Sequence, residues 1–150
     1  MVADYVPFYF APRSPMMFAI ERGNVPTYSD GCDNLIYLVT NVERLVELDL
    51  APLFTDRNAG LVLATFSEDP HELDALIDWD LMGAMYWGNT DEEPDRRERR
   101  MAECLVHRRV PWDAFTEVVA RTETCAASAR DTLASLGKWT PVAVRPSWYF

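Results

Sequence analysis

Hydrophobic residues occur in short blocks along the chain, and polar, turn-forming segments separate these blocks. Short apolar runs are typical of strands, whereas apolar residues spaced three and four apart are typical of helices. Strands are predicted over residues 5–11, 35–40, 61–66, 102–110, 115–121 and 139–144. Helices are predicted over residues 15–20, 42–48, 70–77 and 124–136, with Ser14 and Asn41 capping the first two. The irregular alternation predicts a mixed α/β or α+β fold centred on a sheet.

Some segments have a more particular pattern. Residues 35–40 are continuously apolar, which predicts a strand buried on both faces. Residues 55–60 are typical of a turn, and residues 88–100 form a charged loop. Residues 79–87 are apolar and aromatic without a clear period, so they support neither a helix nor a strand.

The length of 150 residues and the hydrophobic content of 49% allow one compact core, so a single domain over residues 1–150 is expected. The net charge of -10 argues against a protein that coats nucleic acid nonspecifically, but it is compatible with a local basic groove. The basic residues are arginines except for Lys138, which favours planar or stacked recognition. The sequence shows neither an apolar run of membrane-spanning length nor a leader, so a cytoplasmic protein without a membrane partner is expected.

The three cysteines, Cys32, Cys104 and Cys125, are far apart and form no CxxC pair. Two histidines, His71 and His107, are the remaining candidates for a mixed zinc site. This spacing argues against a zinc site and against a disulfide framework, and it predicts reduced, mostly buried thiols.

Glu103 is the candidate catalytic residue that the local pattern singles out. Alternate residues of a strand point to one face, so Glu103 shares a face with Met101 and Leu105. A carboxylate between apolar neighbours is costly unless it is paired or hydrogen-bonded, and perturbed carboxylates are typical of active sites. The alternative is structural: Glu103 would lie on an edge strand and face water, or would pair with Arg99 or Arg109.

Arginines are concentrated between residues 96 and 109, where six of them accompany two glutamates. Such an excess of positive charge is suited to binding phosphates. The alternative is a solvated helical face, because the segment offers favourable i,i+4 pairs. These pairs are Glu92–Arg96, Glu93–Arg97 and Asp95–Arg99. A nucleic-acid role therefore requires a fold that separates the arginines from the acids.

Other polar residues have both a binding and a structural interpretation. Arg13 follows the aromatic strand at residues 5–11, where it can stack on a base or hold a phosphate, or else pair with an acid. Met16 is most simply a core residue. Asn89 and Thr90 can bind a ribose or phosphate, or make a local turn.

Taken in order, these segments resemble the DarT family, the toxins of the DarTG toxin–antitoxin systems. The matching stretches are Tyr5–Met16, Trp87–Asp91, Arg99–Val106 and Val110–Trp112. The first and third are specific in combination, and the resemblance extends over essentially the whole chain.

The resemblance implies an ADP-ribosyltransferase fold, in which a central sheet flanked by short helices is split around an NAD cleft. It implies transfer of ADP-ribose from NAD to the N3 atom of a thymine in single-stranded DNA, without a metal. It also implies a cognate macrodomain antitoxin of the DarG type.

The resemblance implies roles for particular residues as well. Glu103 falls on the family's catalytic glutamate, which positions the ribose and stabilises the oxocarbenium-like charge formed as nicotinamide leaves. Arg13 and Met16 fall on positions of substrate or DNA contact. Residues 88–100 fall on the substrate-recognising loop. The candidates for NAD contact are Tyr9 and Phe10, and those for DNA contact in the loop are Asn89, Thr90, Arg96, Arg97 and Arg100.

One part of the family pattern is not matched. DarT proteins begin with a His-Thr pair that grips NAD and continue with an arginine needed for catalysis, and nothing before Tyr5 corresponds to either. We therefore expect a chain that lacks the family's N-terminal segment and binds NAD poorly. Two alternatives to an active transferase are a decayed module that still binds single-stranded DNA, and an acidic sheet domain whose aromatic residues form a protein interface.

Overall fold

Residues 2–150, which the computed structural model describes, contain seven strands and six α-helices. The strands are β1 (Tyr5–Tyr9), β2 (Ile36–Val39), β3 (Leu53–Thr55), β4 (Phe66–Ser67), β5 (Glu103–His107), β6 (Glu117–Ala120) and β7 (Val142–Val144). The helices are α1 (Pro15–Glu21), α2 (Val42–Glu47), α3 (Leu73–Leu76), α4 (Trp79–Gly83), α5 (Arg96–Arg99) and α6 (Glu123–Ser135). The predicted mixed α/β fold with short helices is confirmed.

The chain divides into two compact units, each built on its own sheet. The first unit comprises the residues up to Pro15 together with Leu45–Val110. The second comprises Met16–Arg44 together with Pro111–Phe150. The single domain expected over residues 1–150 stays a prediction.

The sheet of the first unit has the order β1-β5-β3-β4, and its neighbouring strands are antiparallel. Strand β5 therefore lies between β1 and β3, and its residues from Glu103 to Val106 are buried. The register places Tyr9 opposite Glu103 and Phe54 opposite Cys104. This arrangement puts Glu103 at the beginning of a strand that is covered on both edges.

The sheet of the second unit has the order β2-β6-β7, with an antiparallel β2–β6 pair and a parallel β6–β7 pair. Helix α6 makes the crossover connection that a parallel pair requires. Thr122 caps its first turn by accepting a hydrogen bond from Cys125 N–H. Gly137 follows the helix with a φ of +64°, and Lys138 N–H donates to Leu133 O in the manner of a Schellman motif.

The core of the second unit is formed by Met17, Cys32, Val119 and Tyr149. The Tyr149 hydroxyl lies 3.0 Å from the carbonyl oxygens of Leu35 and Val119, which satisfies the polar end of a buried aromatic ring.

Two strand predictions are wrong in detail. Strand β2 is not buried on both faces, because Ile36 and Leu38 are 44% and 39% exposed. The strand predicted over residues 61–66 is a loop, and strand β4 begins at Phe66. Val62 in this loop is fully exposed and Leu63 is 77% exposed, so an apolar run here does not indicate burial.

Local hydrogen bonds explain why residues 57–64 form a loop instead of a strand. Asn58 Oδ1 accepts a hydrogen bond from Gly60 N–H at 3.0 Å, which closes a turn of the Asx type. Asp56 Oδ1 accepts from Thr65 N–H at 2.8 Å, which joins the two ends of the loop. These side-chain acceptors compete with strand pairing for the same main-chain donors.

Cys32 and Cys104 are buried and Cys125 is partly buried, as predicted, and the three thiols are free. Within residues 2–150, no group of three or more His, Cys, Asp or Glu side chains is arranged to hold a metal ion. No helix in this described part of the chain is long and apolar enough to cross a membrane.

Candidate active site

The Glu103 carboxylate is held inside the first unit by the turn that follows β3. Its Oε2 atom accepts a hydrogen bond from Ala59 N–H at 2.8 Å. Its Oε1 atom lies 3.5 Å from the Asn58 side-chain amide nitrogen, a longer and weaker contact. The residue is 5% exposed, so these donors replace water at an anionic group.

Thr55 connects the main chain of Glu103 to the same turn. The Glu103 N–H donates to Thr55 Oγ1 at 3.1 Å, and the Thr55 hydroxyl donates to Arg57 O at 2.6 Å. Thr55 is fully buried at the end of β3, next to β5 in the sheet. We refer to Thr55–Gly60 as the cradle, because it supports both the main chain and the carboxylate of Glu103.

Burial raises the pKa of Glu103 above its ordinary value of 4.5, and the hydrogen bond from Ala59 N–H partly opposes this shift. The two influences leave a carboxyl group that ionises closer to neutral pH than an exposed glutamate does. Such a group can bind a developing positive charge when ionised and can exchange a proton with a substrate.

Two of the structural explanations of Glu103 that the sequence left open, an edge strand that faces water and a pair with Arg99, are wrong. The residue faces the interior, and β5 is not an edge strand of its sheet. Arg99, one suggested partner, contacts Asp78, Glu93 and Asp95 instead. The carboxylate is therefore held by neutral donors of the cradle.

Tyr9 and Phe10, the candidates for NAD contact, have different surroundings. Tyr9 lies directly across the β1–β5 pair from Glu103, and burial followed by the negative charge of Glu103 raises the pKa of Tyr9. Phe10 packs against the apolar cluster of the first unit, with its ring centroid 5.6 Å from that of Trp79. The structure brings Tyr9 to the candidate site and gives Phe10 a packing role.

Thr90 makes the local turn that the sequence offered as an alternative, whereas Asn89 accepts a hydrogen bond from a residue eight positions away. Asn89 Oδ1 accepts a hydrogen bond from Arg97 N–H at 2.8 Å, in the first turn of α5. Thr90 Oγ1 accepts from Glu93 N–H at 3.0 Å. Both residues are exposed, so they shape the loop at residues 88–100 and also lie on its surface.

The arginines of α5 and its C-terminal end are not equivalent. Arg96 pairs with Glu93 at 2.6 Å and donates to Tyr86 O at 3.0 Å. Arg99 belongs to an ion-pair network that includes the predicted Asp95 pair. Glu93 contacts Arg96 and Arg99 rather than the predicted Arg97, because it precedes the helix and does not follow its spacing.

Arg100 is the candidate DNA-contacting residue whose surroundings argue most against that role. It is 4% exposed, and its guanidinium donates to the carbonyl oxygens of Leu81, Met82 and Pro12. A side chain occupied by three main-chain acceptors supports the fold instead of projecting towards a ligand. Arg97, by contrast, is exposed.

Arg13 and Met16 lie in different units. Arg13, in the first unit, has a φ of +56°, which is unusual for a residue with a Cβ atom. Met16, in the second, is 52% exposed, so it is not the core residue that its apolar character suggests.

The second unit has an apolar groove of about 510 Å³, lined mainly by strand β2 and helix α6. Its walls include Ile36, Leu38, Leu133 and Leu136, with Trp112 at one side. This groove explains the partial exposure of β2.

The cradle is the part of the site that the sequence pattern does not reveal. The pattern predicts a turn over residues 55–60 but indicates no role for Thr55, Asn58 or Ala59. One feature of the sequence could have indicated it. Asp56 and Asn58, whose side chains accept hydrogen bonds in turns, come directly after a buried strand. That signal predicts a turn, but it does not indicate which strand the turn meets.

Comparisons with known proteins relate this site to a family. A family model described as "DarT: ssDNA thymidine ADP-ribosyltransferase" matches residues 1–150. A protein of Mycobacterium tuberculosis named DNA ADP-ribosyl transferase is 32% identical over 150 residues, covering 100% of this chain and 65% of that relative. The chain therefore spans slightly less than two thirds of the mycobacterial relative's length.

Solved structures of a protein from Thermus sp. 2.9 show the same fold. Its DarT in complex with NAD+ aligns with a TM-score of 0.92 and 32% identity, covering 99% of this chain and 74% of that one. Its DarT in complex with ADP-ribosylated ssDNA aligns with a TM-score of 0.93 and 32% identity, covering 100% of this chain and 70% of that one.

Proposed function

Because this chain belongs to the DarT family, whose model matches residues 1–150, we propose that it transfers ADP-ribose from NAD to a thymidine base in single-stranded DNA. The observation that carries the proposal is the buried Glu103 carboxylate, hydrogen-bonded by the cradle where the resemblance implies the catalytic glutamate. The Thermus structures with NAD+ and with ADP-ribosylated ssDNA support the choice of donor and acceptor.

In the proposed reaction, the bond between nicotinamide and the ribose C1′ atom breaks, and its electron pair leaves with nicotinamide. The N3 atom of thymine forms a bond to C1′ and releases its proton. The products are nicotinamide, the ADP-ribosylated base and one proton. The transition state is oxocarbenium-like, so the site needs a fixed negative group near the ribose.

Glu103 is the group that meets this need. Ionised, it stabilises the positive charge on the ribose and accepts a hydrogen bond from a ribose hydroxyl. The contact with Ala59 N–H fixes one carboxylate oxygen, which reduces the reorganisation needed during the reaction. We place Tyr9 beside the bound NAD, because it lies across the strand pair from Glu103.

For DNA contact, we retain the exposed or partly exposed candidates and omit Arg100. These retained residues are Arg13, Met16, Asn89, Thr90, Arg96 and Arg97. Stacking by arginine and contact with phosphates are suited to single-stranded substrates. The proposed substrate also implies that the protein acts in the cytoplasm, and the family implies regulation by a DarG-type macrodomain.

The direct test is to incubate the 150-residue chain with NAD and an oligonucleotide of mixed sequence that contains thymidine. We expect nicotinamide release and an increase in oligonucleotide mass that corresponds to one ADP-ribose, measured by mass spectrometry. NAD is supplied in large excess, because the sequence predicts that this chain binds NAD poorly. An oligonucleotide of the same length, in which the thymidines are replaced by other deoxynucleotides without uracil, serves as the control.

Binding measurements separate the remaining explanations. Single-stranded DNA binding without modification would favour the decayed binding module. Neither modification nor binding at low salt, where phosphate contacts are strongest, would contradict the proposed function and favour a protein-interaction role.

A further inference from the structure

Arg57 joins the cradle to helix α5. Its Nε atom pairs with Asp56 Oδ2 at 3.1 Å within the cradle. Its Nη1 atom lies 3.4 Å from Glu98 Oε2 and 3.7 Å from Asp95 Oδ2. Its main-chain carbonyl accepts the hydrogen bond from the Thr55 hydroxyl. One residue therefore contacts the structure that holds Glu103 and the helix of the loop at residues 88–100.

We propose that Arg57 is a positioning residue, which couples the placement of the Glu103 carboxylate to the conformation of the loop at residues 88–100. The proposal rests on the proposed function, in which Glu103 acts on NAD and this loop contacts DNA. Arg57 does not touch the reacting atoms. It acts by holding Asn58 and Ala59, the next two residues, where their donors meet the carboxylate.

The surroundings of the cradle explain why such a tie is needed. Beyond Gly60 the chain enters the loop whose residues Val62 and Leu63 are highly exposed, so packing does not hold that side. The Arg57 side chain is 16% exposed, which shields its ion pairs more than those of a fully exposed arginine. A shift of α5 on ligand binding would move the Arg57 guanidinium and, through it, the donors to Glu103.

The experiment compares Arg57→Ala, Glu98→Ala and the double variant with the unaltered 150-residue chain. Arg130→Ala is the matched control, because Arg130 pairs with Glu123 in the second unit. Amide hydrogen exchange at Ala59, followed by NMR, reports the contact with Glu103 directly. Turnover and the KM for the oligonucleotide are measured on the same proteins.

We expect exchange at Ala59 to accelerate about fivefold in Arg57→Ala, the change that corresponds to one partly shielded ion pair. The acceleration should be smaller in Glu98→Ala, which leaves the contact between Arg57 and Asp95 in place. The double variant should show no larger effect than Arg57→Ala, because Glu98 acts on the cradle through Arg57. Turnover should fall by similar factors, and the KM for the oligonucleotide should rise in both single variants. Arg130→Ala should leave all these quantities unchanged.

Two results would overturn the proposal. One is an Ala59 exchange rate that does not change in Arg57→Ala and Glu98→Ala. The other is equal acceleration at Ala59 and at Val106, a buried residue of β5 in the same unit, which would indicate loss of stability of the whole first unit. The exchange measurement needs no catalysis, so it decides the role of Arg57 even if the chain does not modify DNA and the proposed function fails.

Discussion

Two features of the environment of Glu103 shift its ionisation in opposite directions. Burial favours the neutral acid, whereas the Ala59 N–H favours the carboxylate. A folded protein that keeps such a group ionised at neutral pH gives up stability relative to one with a neutral side chain there. This cost is typical of catalytic positions.

The first prediction concerns Glu103→Gln, which keeps an acceptor for Ala59 N–H but removes the charge. We expect transfer to fall by on the order of a hundredfold or more, because a preorganised electrostatic contribution is lost. The pKa of Glu103 is raised in the folded state, so the unaltered protein loses stability as pH rises from about 4.5 through that folded pKa. The variant lacks this loss, so its advantage in melting temperature should grow with pH.

Transfer assays and thermal unfolding at several pH values between 4 and 8 check this prediction. A variant that is much less stable at every pH would instead show that Glu103 is needed for folding.

The second prediction concerns Asn58→Asp, which places a second carboxylate near Glu103 Oε1, where the amide nitrogen is 3.5 Å away. A nearby like charge raises the pKa of a carboxyl group, so the acid limb of the pH–rate profile should move to higher pH. On that limb we expect a rate about tenfold lower, the consequence of one pH unit.

The matched variant is Asn58→Ala, which removes the amide without adding a charge and should move the profile much less. If Asn58→Asp and the unaltered chain have superimposable profiles, Asn58 does not influence the ionisation of Glu103.

Among the secondary-structure elements, the positions of α4 and α5 depend on Arg100, the residue that follows α5. Arg100 donates to Leu81 and Met82 in α4 and to Pro12, which lies between β1 and α1. The carbonyl groups at a helix C-terminus lack partners within the helix, and a guanidinium is well suited to satisfy them.

The third prediction is that Arg100→Ala lowers the free energy of unfolding by about 3 kcal/mol, because it removes three hydrogen bonds between a buried cation and main-chain acceptors. Of these acceptors, Leu81 O keeps a second donor in Ala84 N–H. Arg97→Ala, at an exposed position of α5, should change it by no more than about 0.5 kcal/mol. Urea denaturation of both variants measures the difference. Equal effects would show that Arg100 is not the residue that ties these elements together.

For the protein as a whole, the net charge of -10 limits how it can bind DNA. Favourable contacts must come from a few arginines, whereas the remaining surface repels phosphates. Binding should therefore depend on salt through a small number of ion pairs.

The fourth prediction is that the plot of log K against log salt for single-stranded DNA has a shallow slope. Arg13→Ala and Arg97→Ala should each weaken binding and reduce the magnitude of the slope by about one. Arg130→Ala should leave binding and slope unchanged. Fluorescence anisotropy with a labelled oligonucleotide at several salt concentrations gives these values. Slopes that do not change in either of the first two variants would exclude both residues from phosphate contact.

The periodicity of apolar residues was sufficient to predict most helices and strands of this protein and to single out Glu103 as its candidate catalytic residue. The helix over residues 124–136 and the strand at residues 102–110 occur within a few residues of their predicted bounds, because local spacing of apolar residues and capping side chains specify them. Glu103 stands out for the same reason, as a carboxylate at an apolar position.

Periodicity failed where distant contacts outweighed local preference. It indicates that a residue faces inward, but not which donors meet it there. The Ala59 N–H is 44 residues from Glu103, and antiparallel pairing of β3 with β5 brings the two together. For the same reason, the sequence could not distinguish Arg100 from Arg97, because both belong to one run of arginines. The three-dimensional packing of α4 and α5 buries Arg100 and exposes Arg97. Burial and hydrogen-bond partners depend on chain segments far apart in sequence, so local patterns cannot specify them.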